Sequence, residues 1–345
     1  MIHPAQQSFQ YAPNPRCPFC DYLDPGDNHC WSHFDGNNGY QVFCENNPIY
    51  ASWLADIGGV DFGDIVPLPT PDLYLPPYIP TIPKAGGKRI ISEGCPPFVS
   101  VSLGDVVSKK HHFLPVSLRE RFGIPPEVKI LLQAYGKDAL IESIWPKRED
   151  FYIAIGKLGF DLITGINYSV WHEQPHAERL INVKRSLVTF SEMQRHGLPA
   201  IPHMYWSGRR DLERWAEWLN NNPQVGIVAT DLQTERTHKV WDTSVEELSL
   251  YFVPLLKREI HFLVTGASTI DRVAEVRNLF SNAVTISNKY LAMMSIFNQE
   301  LFFDRGVERK TYLPNAQPYL FSTNLERYLF ASGITQLTSL RGKAL

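Results

Sequence analysis

No stretch of this chain is apolar for long enough to cross a bilayer. A membrane helix needs about 18 to 20 such residues in a row, and the 345 residues contain no run of that kind. The opening Met1-Ile2-His3-Pro4-Ala5-Gln6-Gln7 also lacks the basic and apolar regions of a secretory signal. The expectation is a soluble, cytoplasmic protein with no membrane partner. Cysteine is sparse beyond residue 44, where Cys95 alone follows Cys17, Cys20, Cys30 and Cys44. An odd set clustered at one end does not read as a disulfide framework; it suits metal ligation in a reducing compartment. A strong charge excess is absent too. The net charge of -3 excludes an obvious whole-molecule polyanion binder. Its distribution is uneven: residues 1–85 hold nine Asp and Glu against two Lys and Arg, and the remainder 27 against 31. A nucleic-acid surface is therefore expected on the later part.

What the chain does have is a recurring unit between Val99 and Leu291. Short β-branched runs return roughly every thirty residues, and most pass through polar residues into an amphipathic helix. Strands are expected at Phe98–Leu103, Lys129–Ala134, Asp161–Ile166, Pro199–Met204, Gly226–Thr230, His261–Val264 and Val284–Ser287. An eighth is expected at Arg89–Ser92 or near Thr311–Leu313. Between them, Leu212, Trp215, Ala216 and Leu219 share one helical face, as do Val245, Leu248, Phe252 and Leu255, and Val273, Val276 and Phe280. The fold class is α/β: a (β/α)8 TIM-type barrel with an N-terminal zinc-binding module. Three regions follow. Residues 1–60 form the Cys/His module, 61–97 a proline-rich connector packed on the barrel, and 98–345 the barrel with an aromatic-rich C-terminal extension.

The module rests on Cys17-Pro18-Phe19-Cys20 and Cys30-Trp31-Ser32-His33, a C-x2-C-x9-C-x2-H spacing. Two ligand pairs on tight turns can close a tetrahedral zinc site. Cys44 is a rival fourth ligand and His29 a weaker one, and unliganded thiols are the alternative reading. Four protein ligands leave no open position, so such a Zn2+ is structural and supplies folding energy to a segment with little core. A second motif fails on inspection. His172-Glu173-Gln174-Pro175-His176 matches H-E-x-x-H, yet Pro175 cannot sit inside the helix that the motif needs. It can open a helix at the first position. His172 or Glu173 then lies in a loop.

In a (β/α)8 barrel the chemistry sits at the C-terminal ends of the strands. That rule collects Asp105, Tyr135, Asn167, Tyr168, His203, Tyr205 and Trp206 from the first half, and Asp231, Gln233, Thr265, Asn288 and Lys289 from the second. The set lacks the His-x-His start of a metal-dependent barrel hydrolase and the dense carboxylates of a magnesium enzyme. It has carboxylates, amides able to read a polar heterocycle, and aromatics able to stack on a flat ring. Asp231 and Asp105 are the candidate catalytic residues. Asn167, Tyr168, His203, Tyr205, Trp206, Gln233, Asn288 and Lys289 are the candidate substrate contacts. Such a pocket suits a nucleobase. Cleaving its bond to the sugar passes through an oxocarbenium-like state that one carboxylate stabilises or attacks, while another acid protonates the leaving base. Basic residues at Lys109, Lys110, Arg119 and Arg121, and at Arg179, Lys184, Arg185, Arg195, Arg209 and Arg210, read as solvated helix faces or, on the rim, as phosphate contacts.

Three segments carry a resemblance: Gly165-Ile166-Asn167-Tyr168-Ser169, Ile201-Pro202-His203-Met204-Tyr205-Trp206 and Asp211-Leu212-Glu213-Arg214-Trp215-Ala216-Glu217-Trp218-Leu219. They look like bacterial and phage barrel proteins of unassigned function. More distantly, the barrel-plus-zinc layout is similar to the tRNA-guanine transglycosylase superfamily, including its DNA-modifying relatives. The likeness covers residues 95–295 and is architectural. It implies base–sugar cleavage by an active-site Asp, here Asp231 or Asp105, together with bound zinc. The chain departs from that pattern in two places. Its cysteines precede the barrel instead of following most of it, and the glycine-rich substrate loop has no match.

The leading expectation is therefore a DNA glycosylase or transglycosylase-like enzyme. It would remove or exchange a flipped, modified base, with DNA ahead of RNA as partner, in nucleic-acid modification or antiviral defence. A barrel enzyme for a small metabolite and a non-catalytic, zinc-containing binding protein are the alternatives.

Overall fold

The computed structural model describes residues 53–108, 117–170, 176–206, 208–233, 237–304, 307–315 and 317–334. It also places the short antiparallel strands β1 (Ser32–Asp35) and β2 (Tyr40–Val42). The cysteines of the expected zinc module, the side chain of His33, and residues 171–175 with the H-E-x-x-H start lie outside the described residues.

In chain order the strands are β3 (Tyr78–Pro80), β4 (Phe98–Ser102), β5 (Lys129–Gln133), β6 (Leu162–Thr164), β7 (Ala200–Ile201), β8 (His203–Met204), β9 (Ile227–Asp231), β10 (His261–Thr265) and β11 (Val284–Asn288). They form two parallel sheets, ordered β4-β5-β6-β7 and β3-β11-β10-β9-β8. The sheets meet at two places. Thr81 and Ser100 form a parallel bridge, and the Ile82 N–H donates to the Ser100 carbonyl at 2.7 Å. On the other side β7 runs into β8 through Pro202, which has no N–H to donate. Its carbonyl still accepts from the Ala229 N–H at 2.9 Å.

Helices lie between and beyond the strands: α1 (Gly87–Glu93), α2 (Leu103–Val106), α3 (Leu118–Phe122), α4 (Asp138–Ile144), α5 (Arg148–Gly156), α6 (His176–Arg195), α7 (Arg209–Asn221), α8 (His238–Tyr251), α9 (Ile270–Leu279), α10 (Tyr290–Ile296) and α11 (Leu320–Ala331). A hairpin of β12 (Gln299–Asp304) and β13 (Val307–Tyr312) precedes α11. Threonines start two of the helices. Thr237 accepts from the Val240 N–H and Thr269 from the Arg272 N–H, each relieving an unpaired first-turn donor. α7 buries Leu212, Trp215, Ala216 and Leu219, the face its periodicity anticipates. Among the described residues, no helix is long and apolar enough to cross a membrane.

Side chains alternate across a strand, and here the alternation sorts the core in two. Val99, Val101, Ile130, Leu132, Val228, Val264 and Ile286 face the helices and join the larger apolar cluster. Ile79, Phe98, Leu131, Leu162, Ile201, Ile227 and Leu263 face the other way and form a second cluster, drawn from both sheets. At about 1.5 to 3 kcal/mol per buried aliphatic side chain, the two clusters supply most of the drive that holds the strands together.

Two expectations need correction. The further strand of the parallel sheets lies at neither expected place: Arg89–Ser92 is within α1, and Thr311 and Tyr312 are in a strand, β13, but one that pairs antiparallel with β12. The additional strand is β3, inside the proline-rich stretch. Its three residues, Tyr78, Ile79 and Pro80, carry no alternation to read, and proline is tolerated at a strand's ends. The second correction concerns the basic residues. Lys184 and Arg185 are fully buried. Lys184 binds the Asp64 carboxylate and the Asp61 carbonyl. Arg185 pairs with Glu142 at 2.8 Å and stacks 3.8 Å over Tyr168.

Candidate active site

Beyond the inner apolar cluster, toward the C-terminal end, the strands present a layer of polar inward side chains. It comprises Thr81, Ser100, Gln133, Thr164, His203, Thr265 and Ser287, all buried, with Asp231 one step further along β9. The strands that close their lower layer with Leu, Ile and Phe therefore hold hydroxyls, an amide, an imidazole and a carboxyl in the layer above. Much of this layer satisfies itself. Ser100 Oγ donates to Thr81 Oγ1 at 2.8 Å, Gln133 Nε2 donates to Ser287 Oγ at 2.8 Å, and Ser287 Oγ donates to the Ile79 carbonyl at 2.7 Å.

Above the layer opens a cavity of about 740 Å³, a volume suited to one small ligand. Thr81, Gln133 and Ser287 contribute to its floor. Asp105, Tyr135, Lys137, Asn167, Asp231, Gln233, Arg272, Asn288, Lys289 and Tyr290 contribute to its wall and rim. The two candidate carboxylates thus line one space.

Asp231 ends β9 and is 8 % exposed. Its Oδ1 accepts from the Thr265 hydroxyl at 2.7 Å and from the Gln233 N–H at 2.9 Å. Burial raises its pKa above the ordinary 3.8, while these two bonds pull the other way without cancelling the rise. Both bonds fall on Oδ1, so a retained proton belongs on Oδ2. The turn that carries Asp231 depends on a glycine. Gly266 has φ +92°, and a Cβ there would fall 2.3 Å from the Gln233 nitrogen. No other residue lets the loop after β10 pass so close to residues 231–233.

Asp105 has a different setting. It lies in α2 directly after β4, is about one-fifth exposed, and pairs with Lys289 Nζ at 3.5 Å. Lys289 follows β11, so the pair spans the place where β3 intervenes between β11 and β4.

Several other expected contacts have separate placements. Asn167 lines the cavity, and its Oδ1 is buried without a hydrogen-bond partner. Tyr168, the next residue, turns away to pack edge-on against Trp145 and beneath Arg185. His203 belongs to the polar layer but lies behind Tyr135, ring to ring at 4.9 Å, and does not line the cavity. Burial lowers its pKa to about 3, so the imidazole is neutral, and neither ring nitrogen has a partner. Tyr205 stacks on His203, and Trp206 Nε1 donates to Glu247 at 2.7 Å; both are outside the lining. Asn288 lines the cavity with its amide already engaged, accepting from Tyr78 at 2.9 Å and donating to the Ala267 carbonyl at 2.7 Å.

Gln133, Arg272 and Tyr290 are cavity residues that strand-end reasoning passes over. Arg272 sits in the first turn of α9, with its guanidinium 4.3 Å from the centroid of the Trp241 ring. Tyr290 is held by a hydrogen bond to Glu308 of the hairpin. The alternation along β5 marks Gln133 as inward, so its signal was present. Arg272 and Tyr290 lie past the strand ends and had none. The Tyr135 hydroxyl lies near Thr164, Thr265 and Asp231 without meeting hydrogen-bond geometry with any of them. Burial, reinforced by Asp231, raises its pKa well above the tyrosine norm and keeps it a neutral phenol.

Among the described residues, no group of three or more His, Cys, Asp or Glu could hold a metal ion. No protein-family model matches the chain, and no curated protein matches it.

Proposed function

We propose that the two parallel sheets close into one (β/α)8 barrel whose upper cavity cleaves the N-glycosidic bond of a nucleobase. Closure is supported by the Thr81–Ser100 bridge, by the run of β7 into β8, and by an inner apolar cluster drawn from both sheets. The strand order around the ring is then β3, β4, β5, β6, β7/β8, β9, β10, β11. Asp105 after β4 and Asp231 on β9 stand four positions apart in a ring of eight, on opposite sides of the cavity.

One observation carries the functional reading: the two carboxyl groups of one cavity have opposite environments. Among the described residues no cation stands beside Asp231, and burial raises its pKa, so it holds a proton more readily than an ordinary carboxyl group. Asp105 has the Lys289 ammonium 3.5 Å away. Paired groups whose surroundings differ in this way divide into acid and base roles. Asp231 Oδ2 donates its proton to a nitrogen of the departing base as the C1′–N bond breaks. The Asp105 carboxylate stabilises the positive charge that develops at C1′, or attacks it. Water finally supplies hydroxide to C1′ and returns a proton to Asp231. Gln133, Gln233 and Asn167 provide amides around the leaving group, and Tyr135 and Tyr290 provide phenol rings. A base within a duplex would have to be flipped out to reach this site.

The test is incubation of the pure protein with modified and unmodified DNA, RNA and nucleosides, followed by mass spectrometry of released bases. Asp231→Ala and Asp105→Ala serve as controls. Release that disappears in both variants is expected. No release from any substrate, with the variants behaving as wild type, would turn the reading toward a small-metabolite enzyme or a binding protein.

A further inference from the structure

Around the proposed ring, cations and heterocycle-reading groups occupy opposite sides of the cavity. The loops after β10 and β11 bring Ser268, Arg272 and Lys289 to the rim, with Asp271 before Arg272 in the first turn of α9 and Asp105 3.5 Å from Lys289. The opposite side, after β5 and β6, brings Tyr135 and Asn167, with the Asn167 Oδ1 lacking any donor. The two carboxyl groups lie on the perpendicular axis, Asp105 after β4 and Asp231 on β9. Accepting the glycosidic reading above, we infer that the substrate carries a phosphate, which binds Arg272, Lys289 and Ser268 while the base lies against Tyr135 and Asn167. The glycosidic bond then falls between the carboxyl groups.

Three features suit the β10–β11 side to a phosphate. Arg272 is held over the Trp241 ring at 4.3 Å, which restrains the position of its guanidinium charge at the rim. Lys289 is a point charge on the adjacent loop, 3.5 Å from Asp105, so a phosphate bound there shares a cation with the reacting centre. The ten-residue α9 starts at Ile270 beside Ser268 and adds the positive end of its dipole. The opposite side has a cation too, Lys137, exposed at the start of α4. Its charge is therefore the natural control for orientation.

The experiment is equilibrium dialysis of the full chain against 2′-deoxyadenosine and 2′-deoxycytidine, their 5′-monophosphates, inorganic phosphate and a short single-stranded oligonucleotide. Affinity is read separately from base release. Wild type is expected to bind a monophosphate about tenfold or more tighter than its nucleoside, as a charge-assisted contact implies. Inorganic phosphate should compete. The Arg272→Gln/Lys289→Gln variant, checked by its melting curve, should bind the two alike, and Lys137→Gln should keep the preference. An oligonucleotide tighter than the monophosphate, or the reverse, supports the subsite either way and tells whether a strand or a free nucleotide supplies the phosphate. Equal affinity for nucleoside and monophosphate in wild type overturns the inference. So does no binding of any probe, a preference that survives in the double variant, or one that Lys137→Gln removes. A phosphate preference without base release would retire the glycosidic chemistry and leave the subsite standing.

Discussion

Asp105 and Asp231 line the same cavity, yet the fold treats them in opposite ways. Asp105 stands within a four-residue helix, partly open to water, with the Lys289 ammonium 3.5 Å away. Asp231 is the last residue of a buried strand, with neutral partners on one oxygen and, among the described residues, no cation on the other. Two hydrogen bonds to a carboxylate favour ionisation, but removal from water opposes it more strongly, so the Asp231 pKa rises. A cavity that needed only two negative charges would not bury one of them without a partner. The contrast fits a division of labour, one group giving a proton and the other offering charge.

The contrast breaks first at Asp231. Asp231→Asn keeps an oxygen for the Thr265 and Gln233 donors but removes the transferable proton, and should slow base release by about 10²–10⁴-fold. Asp105→Asn removes the charge facing the sugar and should cost about 10²–10³-fold, measured by the same release assay under single turnover. Gly266→Ala forces a side chain into a left-handed conformation against the Gln233 backbone. It should destabilise the fold by about 1–3 kcal/mol in denaturant titration and displace Asp231 enough to lower the rate as well. A finer effect concerns stability and pH. Burial raises the Asp231 pKa, so the folded chain holds that proton more tightly than the unfolded chain. The destabilisation from ionising it is absent below the ordinary value of 3.8 and complete above the raised one. Asp231→Asn should therefore be more stable than wild type at neutral pH, with the advantage fading as pH falls toward 4. The smallest effect is expected at Tyr78→Phe. That change deletes the 2.9 Å bond to Asn288 and should cost about 1 kcal/mol, with base release close to wild type.

Strand positions were legible because apolar runs followed by helical periodicity leave a strong trace, and the ends of those strands led directly to Asp231 and Asp105. Which residue at a strand end turns inward was much harder to read. Asn167 and Tyr168 are neighbours, and one faces the cavity while the other packs under Arg185. A single step along an extended chain reverses the face, and the sequence beyond Thr164 does not fix the phase. His203 is inward as the alternation of β8 requires, but the larger Tyr135 covers it. β3 was hidden because three residues among prolines show no pattern. Arg272 was hidden because its relation to the cavity depends on how α9 leaves β10, a tertiary matter. The expected zinc ligands fall outside the described residues.

The most direct test of the central claim is the pH dependence of single-turnover base release in wild type and Asp231→Asn. A buried acid that must be protonated to act predicts a wild-type rate that falls as pH rises through the raised Asp231 pKa, and a slow variant in which that fall is gone. A wild-type rate that holds or rises over that range, or the same fall persisting in Asp231→Asn, would contradict the assignment of Asp231 as the proton donor.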